Sequence, residues 1–125
     1  MKSSDLDIER ETVEHFILGN EKAFEQIFNR SKGKLKGFLG KALPKDEDEE
    51  SVLQEVYLKL WSTRKFIHPD KNFEAYLFAI ARNLVIDVMR KRLHRRKYLE
   101  ELYLLSKERH PGNGDTFAAV EYSEL

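Results

Sequence analysis

Apolar residues recur along most of this chain at spacings of three and four, which is the period of amphipathic helices. The strict alternation that is typical of half-buried strands is almost absent. Val13, Phe16 and Ile17 predict a short first helix, for which Ser4 and Asp7 are candidate cap residues. The pattern therefore indicates a helical chain from its first segment onward.

The second predicted helix begins after Asn20, a residue type that is favoured at helix N-caps, and it ends before Pro44. Gly33, Gly37 and Gly40 each weaken it by about 1 kcal/mol relative to alanine. We expect these glycines to allow a bend or the close approach of another helix. The apolar stripe of this helix consists of Phe24, Ile27, Phe28, Leu35, Phe38, Leu39 and Ala42.

The third predicted helix, over residues 46–62, starts in an acidic run and has two distinct faces. The face predicted to be buried consists of Val52, Leu53, Val56, Tyr57 and Leu60. A second face carries Ser51, Gln54, Glu55 and Leu58. The segment "STRKFIHPDKN" at 62–72 follows as a loop, with Pro69 as a helix breaker and Asn72 as the next cap.

The fourth predicted helix covers residues 73–97, and "YLEELYLLSKE" is able to extend it until "RHPGNGD" breaks it. Tyr76, Asn83 and Arg90 recur every seven residues on one face of this helix. Its core face is predicted to consist of Phe73, Leu77, Ile80, Leu84 and Val88. The whole pattern predicts an all-α fold with about four helices.

Composition narrows the possible function classes. The chain has 125 residues and no cysteine, which predicts one small domain without disulfides or thiolate metal sites. The four histidines lack ligand-like pairing, and consecutive carboxylates on one helical turn point in different directions. No apolar stretch approaches the roughly 20 residues that a membrane span needs. We therefore expect no enzyme activity, metal site, cofactor or membrane insertion.

Charge is separated into blocks, although the formal net charge is zero. Six carboxylates lie within ten residues, namely Asp46, Glu47, Asp48, Glu49, Glu50 and Glu55. Seven cations are concentrated further along, namely Arg82, Arg90, Lys91, Arg92, Arg95, Arg96 and Lys97. Both blocks also suit helix dipoles, which favour acids at a helix start and cations at a helix end. Seven cations exceed what a dipole requires, and this favours a phosphate-binding role for the basic block.

The fourth helix combines three kinds of side chain that suit a nucleic acid. Its cations can neutralise phosphates, the planar amide of Asn83 can read a base edge, and Tyr76 can stack on an unpaired base. The alternatives are that Tyr76 packs in the core and that Asn83 is an ordinary surface residue. Their presence together with a basic end on one helix favours nucleic-acid binding.

Three segments carry a resemblance to a known family: "EKAFEQIFNRSKGKL", "DEESVLQEVYLKLW" and "FEAYLFAIARNLVIDVMRKR". Over roughly residues 8–97 they resemble region 2 of bacterial sigma factors of the extracytoplasmic-function group, which implies a compact bundle of about four helices. The resemblance implies a transcription initiation factor whose third helix binds the coiled-coil clamp of the largest subunit of core RNA polymerase. It also implies that loop 63–72 and helix 73–97 recognise and melt the promoter −10 element by capturing its non-template strand.

The resemblance assigns residues to both interfaces. The expected polymerase-binding residues are Asp48, Glu50, Ser51, Gln54, Glu55 and Leu58. The family usually has an acid where Ser51 stands, and Glu47 or Glu50 could compensate for its absence. Trp61 matches an aromatic position of the family that could instead belong to the core. The expected DNA-binding residues are Lys65, Asn72, Tyr76, Phe78, Asn83, Arg90, Lys91 and Arg92.

The resemblance also implies a domain division. Residues 1–97 are expected to form the region 2 domain, and residues 98–125 the start of a linker or tail, without the domain that reads the −35 element. We therefore expect a fragment or a truncated form of a cytoplasmic, nucleoid-associated factor, with an anti-sigma factor as a further possible partner. Two alternatives remain open, a helical protein-interaction module and a duplex DNA-binding regulator outside the sigma group.

Overall fold

The computed structural model describes residues 6–109. Four α-helices make up most of this part of the chain: α1 (Arg10–Ile17), α2 (Glu21–Ala42), α3 (Glu49–Ser62) and α4 (Phe73–Arg109). One turn of 3₁₀ helix, Arg64–Phe66, lies between α3 and α4. The described residues contain no strand, so the prediction of an all-α fold is confirmed.

Side-chain caps explain where three of the helices begin. The amide oxygen of Asn20 accepts a hydrogen bond from the backbone N–H of Ala23 at 2.9 Å, and that of Asn72 accepts one from Ala75 at 3.0 Å. Asp48 caps α3 in the same way. Both asparagine caps were predicted correctly, because an asparagine at this position satisfies a backbone donor that the helix leaves unpaired.

The first helix begins later than the sequence predicts. Its N-cap is Glu9, which makes no side-chain cap bond, and Asp7 has a left-handed φ of 56° that does not continue into a helix. Ser4, the other candidate cap, lies outside the described residues. Arg30 of α2 holds this entry segment by donating hydrogen bonds to the backbone carbonyl and the carboxylate of Asp7.

The buried row of α2 is narrower than its predicted apolar stripe. The side chains that are fully buried follow one row of i, i+4 positions: Ala23, Ile27, Ser31, Leu35 and Leu39. The predicted Phe24, Phe28 and Phe38 are half-buried and close the edges of the core against rings from other helices. The predicted stripe omitted Ala23 and Ser31, because neither is a large apolar residue, although both are buried. The centre of the predicted stripe was therefore wrong.

Two of the three glycines of α2 do not lie close to another helix. A Cβ added at Gly33 or Gly37 would meet nothing within 4 Å. A Cβ at Gly40 would lie 3.2 Å from the Glu49 carboxylate. The expected close approach of another helix is therefore wrong for Gly33 and Gly37, and Gly40 faces a flexible side chain.

The third helix follows its prediction closely. Val52, Leu53, Val56, Tyr57 and Leu60 are all buried, which confirms the predicted stripe. Both α3 and α1 pack on α2, and the ring of Phe16 from α1 also lies against Trp61 at the end of α3. Ser51, Gln54, Glu55 and Leu58 are exposed. The second face predicted for this helix is therefore available to a partner.

The structure divides into two compact units, one that extends through Val85 and one that starts at Ile86. In the first unit the buried residues of α4 are Phe73, Leu77, Ala81 and Val85. Of the five residues predicted for the core face, Phe73 and Leu77 are buried, whereas Ile80 and Leu84, and Val88 in the second unit, are half-buried. The prediction missed the i, i+4 row because it passed over the small Ala81.

The second unit contains the rest of α4, which continues to Arg109 as the extension "YLEELYLLSKE" predicted. Residues 110–125, most of the predicted linker or tail, lie outside the described residues. The proposed division at residue 97 stays a prediction. Within residues 6–109, no helix is both long and apolar enough to span a bilayer, and no group of three acidic or histidine side chains is placed to hold a metal ion.

Candidate functional site

The exposed face of α3 presents an apolar residue among polar ones. The side chain of Leu58 is 69% exposed, one helical turn beyond Gln54 and Glu55. Exposing a leucine to water is unfavourable by roughly 1.5–3 kcal/mol relative to full burial, so a partner that covers Leu58 gains affinity. The opposite face of α3 is fixed in the core, which gives this surface a rigid backbone. A rigid mixed surface of this kind suits protein recognition.

Asp48 and Ser51 form a local pair at the start of α3. The carboxylate of Asp48 accepts hydrogen bonds from the hydroxyl of Ser51 at 2.8 Å and from its backbone N–H at 3.2 Å. These bonds, the one from the Ser51 hydroxyl first, lower the pKa of the Asp48 carboxyl below its usual value. A serine can donate to Asp48, whereas an ionised acid cannot. The hydroxyl bond to Asp48 therefore depends on a serine at position 51.

Trp61 ends α3 inside an aromatic cluster. Its ring lies 5.8 Å from the ring of Phe16 and 5.3 Å from that of Phe24, and the guanidinium of Arg64 stacks over it at 4.2 Å. Trp61 is half-buried. Of the two predicted roles for this residue, the geometry favours the one in the core.

The loop between α3 and α4 places an aromatic and a cation side by side in solvent. Lys65, a predicted DNA-binding residue, is exposed, and the next residue, Phe66, is 75% exposed. Ile67 is buried and anchors the loop behind them. Sequence reasoning missed Phe66, although a large aromatic in a polar loop, outside every helical stripe, was the signal. An exposed aromatic beside a cation can stack on a base while the cation meets a phosphate.

Beyond Phe66, the loop turns back towards α4 beside a surface pocket of about 360 Å³. The backbone N–H of Lys71 donates to the carbonyl of His68 at 3.0 Å and closes the turn. The pocket is lined by the N-terminal segment and α1 on one side and by residues 69–74 on the other. Asn72, a predicted DNA-binding residue, lines this pocket and is exposed, but its amide oxygen is already bonded to the N-terminus of α4.

Three predicted strand-contacting residues on α4 differ in exposure. Asn83 is exposed, so its amide is accessible to a base edge. Tyr76 is half-buried and its hydroxyl donates to the Thr63 hydroxyl at 2.7 Å. Phe78 is half-buried against Phe38, with ring centroids 6.0 Å apart. Asn83 is therefore the most accessible of the three, and each aromatic offers only part of its ring.

A cation from α2 lies beside this part of α4. The ammonium of Lys34 lies 5.9 Å from the ring centroid of Phe78 and 2.9 Å from a carboxylate oxygen of Glu74. It is a basic group close to the predicted strand-contacting residues that sequence reasoning missed, because Lys34 is separated from them by about 40 residues of chain. Its ion pair with Glu74 sets its direction.

In the second unit, α4 carries a run of cations. Arg90 and Lys91 are exposed, and Arg92 is half-buried. Lys91 pairs with Asp87 at 3.3 Å, an exposed i, i+4 ion pair whose contribution to stability is small. Arg96 and Lys97 are exposed as well. These side chains form a positively charged helix surface that suits contact with phosphates.

Comparison with known proteins adds a family to this geometry. The family model described as Sigma-70 region 2 matches residues 27–95. The RNA polymerase sigma factor CarQ of Myxococcus xanthus is 30% identical over 82 residues, which cover 66% of this chain and 47% of that protein. The chain thus spans about half the length of the curated relative that it matches.

A solved structure has the same fold. It is the NMR structure of the complex formed by an engineered region 2 of sigmaE with GTAAAA, and it matches with a TM-score of 0.64 at 23% sequence identity. The match covers 74% of this chain and 96% of the other. The part of this chain that the match covers therefore has the same fold as the engineered domain.

Proposed function

Because the chain belongs to the Sigma-70 region 2 family, we propose that it acts in transcription initiation, as the part of a sigma factor that joins core RNA polymerase to the promoter −10 element. The observation that carries this proposal is the match of residues 27–95 to the family. Two exposed surfaces support it, the outer face of α3 and the loop that follows α3. We place this function in the cytoplasm at the nucleoid, where polymerase and promoters meet.

The polymerase-binding surface in this proposal is the exposed face of α3. Leu58 would supply apolar area, and the amide and carboxylate of Gln54 and Glu55 would meet basic and polar groups on the clamp of the largest subunit. Glu50 and Ser51 extend the same surface towards the start of the helix. Asp48 contributes mainly by capping α3, because its carboxylate is bonded to Ser51. An anti-sigma factor would be able to block polymerase by covering this surface.

The DNA-binding surface in this proposal consists of the loop and the first turns of α4. Lys65 and Phe66 provide a cation and an exposed ring, and Asn83 provides donors and an acceptor for a base edge. Tyr76 and Phe78 would support the melted non-template strand with the exposed parts of their rings. Single-strand capture needs stacking surfaces and edge recognition, which these side chains combine.

The cations of the second unit complete the proposal. Arg90, Lys91 and Arg92 would contact phosphates of duplex DNA upstream of the melted segment. Phosphate contacts add affinity without reading sequence, so these residues are expected to set the salt dependence of binding rather than base choice.

The first test of the proposal is co-elution of the protein with core RNA polymerase in size-exclusion chromatography. We expect co-elution, and we expect the double substitution Gln54→Ala, Glu55→Ala to abolish it. The matched control is Glu25→Ala, Gln26→Ala, which removes the same two residue types from an exposed stretch of α2. Loss of co-elution in the control alone, or in neither variant, would contradict the assignment to α3.

The second test concerns the form of DNA that is bound. We expect binding to single-stranded −10-like oligonucleotides to exceed binding to the corresponding duplex, and polymerase to strengthen it. Strong binding to duplex DNA without polymerase would favour a duplex-binding regulator. Binding of polymerase with no DNA binding in either form would favour a helical protein-interaction module.

A further inference from the structure

Arg64 opens the 3₁₀ turn, yet its side chain points back into the protein. Its guanidinium carbon lies 4.2 Å from the centre of the Trp61 ring, and its Nη1 donates to the Trp61 backbone carbonyl at 2.9 Å. The Nε atom is buried and makes no hydrogen bond to the described residues. The group is therefore packed, and a phosphate could reach it only after rearrangement.

Gly19 lies beside this guanidinium. A Cβ built on Gly19 would lie 3.5 Å from Nη2 of Arg64, so the glycine backbone passes directly beside the side chain. Gly19 has a φ of 93°, a conformation that favours glycine. Its N–H donates to the Phe16 carbonyl at 2.8 Å, which fixes the turn between α1 and α2. Arg64 thus connects the loop start to this turn as well as to the end of α3.

Thr63 provides a second anchor at the same point. Its hydroxyl donates to the Lys59 carbonyl at 2.8 Å and accepts a hydrogen bond from the Tyr76 hydroxyl at 2.7 Å. Thr63 and Arg64 are therefore attached to α3, to α4 and to the turn at Gly19. The two residues that follow, Lys65 and Phe66, are exposed. The fixed pair determines the direction in which the exposed pair leaves the protein surface.

We propose that Arg64 is a positioning residue that fixes the start of the loop, and thereby sets how residues 65–72 as a whole are presented and which bases they select. The inference rests on the proposed DNA-binding function. Arg64 and Lys65 are neighbouring cations, and the geometry assigns them different roles: Arg64 is packed against Trp61, whereas Lys65 is exposed. Because Arg64 packs against Gly19, base selection would also depend on the α1–α2 turn. This turn lies outside residues 27–95, which match the family.

The test compares two variants that lose the same charge from adjacent positions, Arg64→Gln and Lys65→Gln. Each purified full chain is incubated with a pool of single-stranded oligonucleotides that contain six randomised positions, and the bound fraction is sequenced. We expect Lys65→Gln to weaken binding to all sequences by a similar factor, about threefold, because phosphate contacts carry no sequence information. We expect Arg64→Gln to change relative base enrichment at one or two positions by about fivefold or more, because it redirects base-contacting groups.

Two further measurements separate positioning from a general loss of folding. Trp61 is the only tryptophan of the chain, so its fluorescence reports the stacked guanidinium directly. Arg64→Gln and Arg64→Lys should both shift its emission, because lysine keeps the charge but lacks the planar group. Lys65→Gln should not. Hydrogen exchange should accelerate over residues 65–72 in both Arg64 variants while the backbone amides of α2 keep their protection.

The outcomes distinguish the possible errors. If Arg64→Gln lowers affinity uniformly, as expected for Lys65→Gln, Arg64 is a phosphate contact and the proposal is wrong. An Arg64→Lys variant with wild-type emission, exchange and base enrichment would also overturn it, since charge alone would then suffice. If the wild-type protein enriches no sequence, the proposed DNA-binding function fails. The fluorescence emission of Trp61 and the hydrogen exchange of residues 65–72 would then still show whether Arg64 orders the loop.

Discussion

The hydroxyl of Tyr57 lies 2.5 Å from the hydroxyl of Ser31, whose side chain is completely buried. Ser31 donates its own proton to the Ile27 carbonyl at 2.6 Å, so Tyr57 is the donor between the two hydroxyls. The pair joins α2 to α3 through the core. It lies behind the face of α3 that we propose binds polymerase, and so it helps to fix that face.

A substitution that removes only one hydroxyl of this pair leaves the other hydroxyl without that partner in the core, and we expect it to lower the free energy of unfolding. Tyr57→Phe is expected to lower the free energy of unfolding by about 1–2 kcal/mol, because Ser31 loses a buried partner. The double variant Tyr57→Phe, Ser31→Ala should be less destabilised than the sum of the single variants, since no hydroxyl is then left unpaired. Urea denaturation followed by circular dichroism measures all four free energies. Strict additivity would show that the two hydroxyls do not interact.

The same pair predicts a pH dependence of stability. Burial raises the pKa of the Tyr57 hydroxyl above its usual value. The unfolded chain loses this proton near pH 10, whereas the folded protein keeps it to higher pH. The stabilising contribution is therefore complete below about pH 10 and is lost as pH rises through the folded pKa.

The measurement compares wild type with Tyr57→Phe in urea at a series of pH values from neutral to alkaline. The stability advantage of the wild type should be constant at neutral pH and should shrink above about pH 10. Phenylalanine cannot ionise, so the difference cancels the titration of the other tyrosines and the lysines. An advantage that grew with rising pH would contradict the assignment.

The sequence predicted the amphipathic elements well where hydrophobicity and burial coincide. All five residues of the α3 stripe and the exposed face opposite them were correct, because both faces consist of residues whose size and polarity match their environment. The prediction failed at Ser31 and Ala81, which are buried in the core, because their burial is a property of packing rather than of residue type. Periodicity could not reveal the folded-back side chain of Arg64 either, since only the tertiary fold brings Gly19 beside it.

The cap at Asp48 can be separated from a contact with polymerase. Asp48→Ala should lower the melting temperature, because α3 loses the acceptor for its first free backbone N–H groups, whereas Asp48→Ser should retain most of the cap. If Asp48 acts only as a cap, Asp48→Ser binds polymerase as the wild type does. Weak binding by Asp48→Ser at an unchanged melting temperature would instead assign the carboxylate a direct contact.

Two glycines of α2 are sites for stabilisation. Gly33→Ala and Gly37→Ala should each raise the free energy of unfolding by up to about 1 kcal/mol, because alanine favours the helix and the added methyl meets nothing. Gly40→Ala serves as a matched control and should gain less, since its Cβ would lie 3.2 Å from the Glu49 carboxylate. Thermal unfolding of the three variants checks the order. If Gly33→Ala lowered the free energy of unfolding, free space around the added methyl group would not be enough to predict stabilisation at this position.

The exposed amide of Asn83 should act on base choice rather than on folding. Asn83→Ala is expected to reduce discrimination at one base position by about 1–3 kcal/mol, the usual value of a base-edge contact, while the melting temperature stays close to that of the wild type. Asn29→Ala, which removes an exposed asparagine from α2, is the matched control and should leave discrimination intact. Sequencing of bound single-stranded oligonucleotides with randomised positions measures both variants. If Asn83→Ala gives the enrichment profile of the wild type, Asn83 is an ordinary surface residue, and base selection lies in the loop alone.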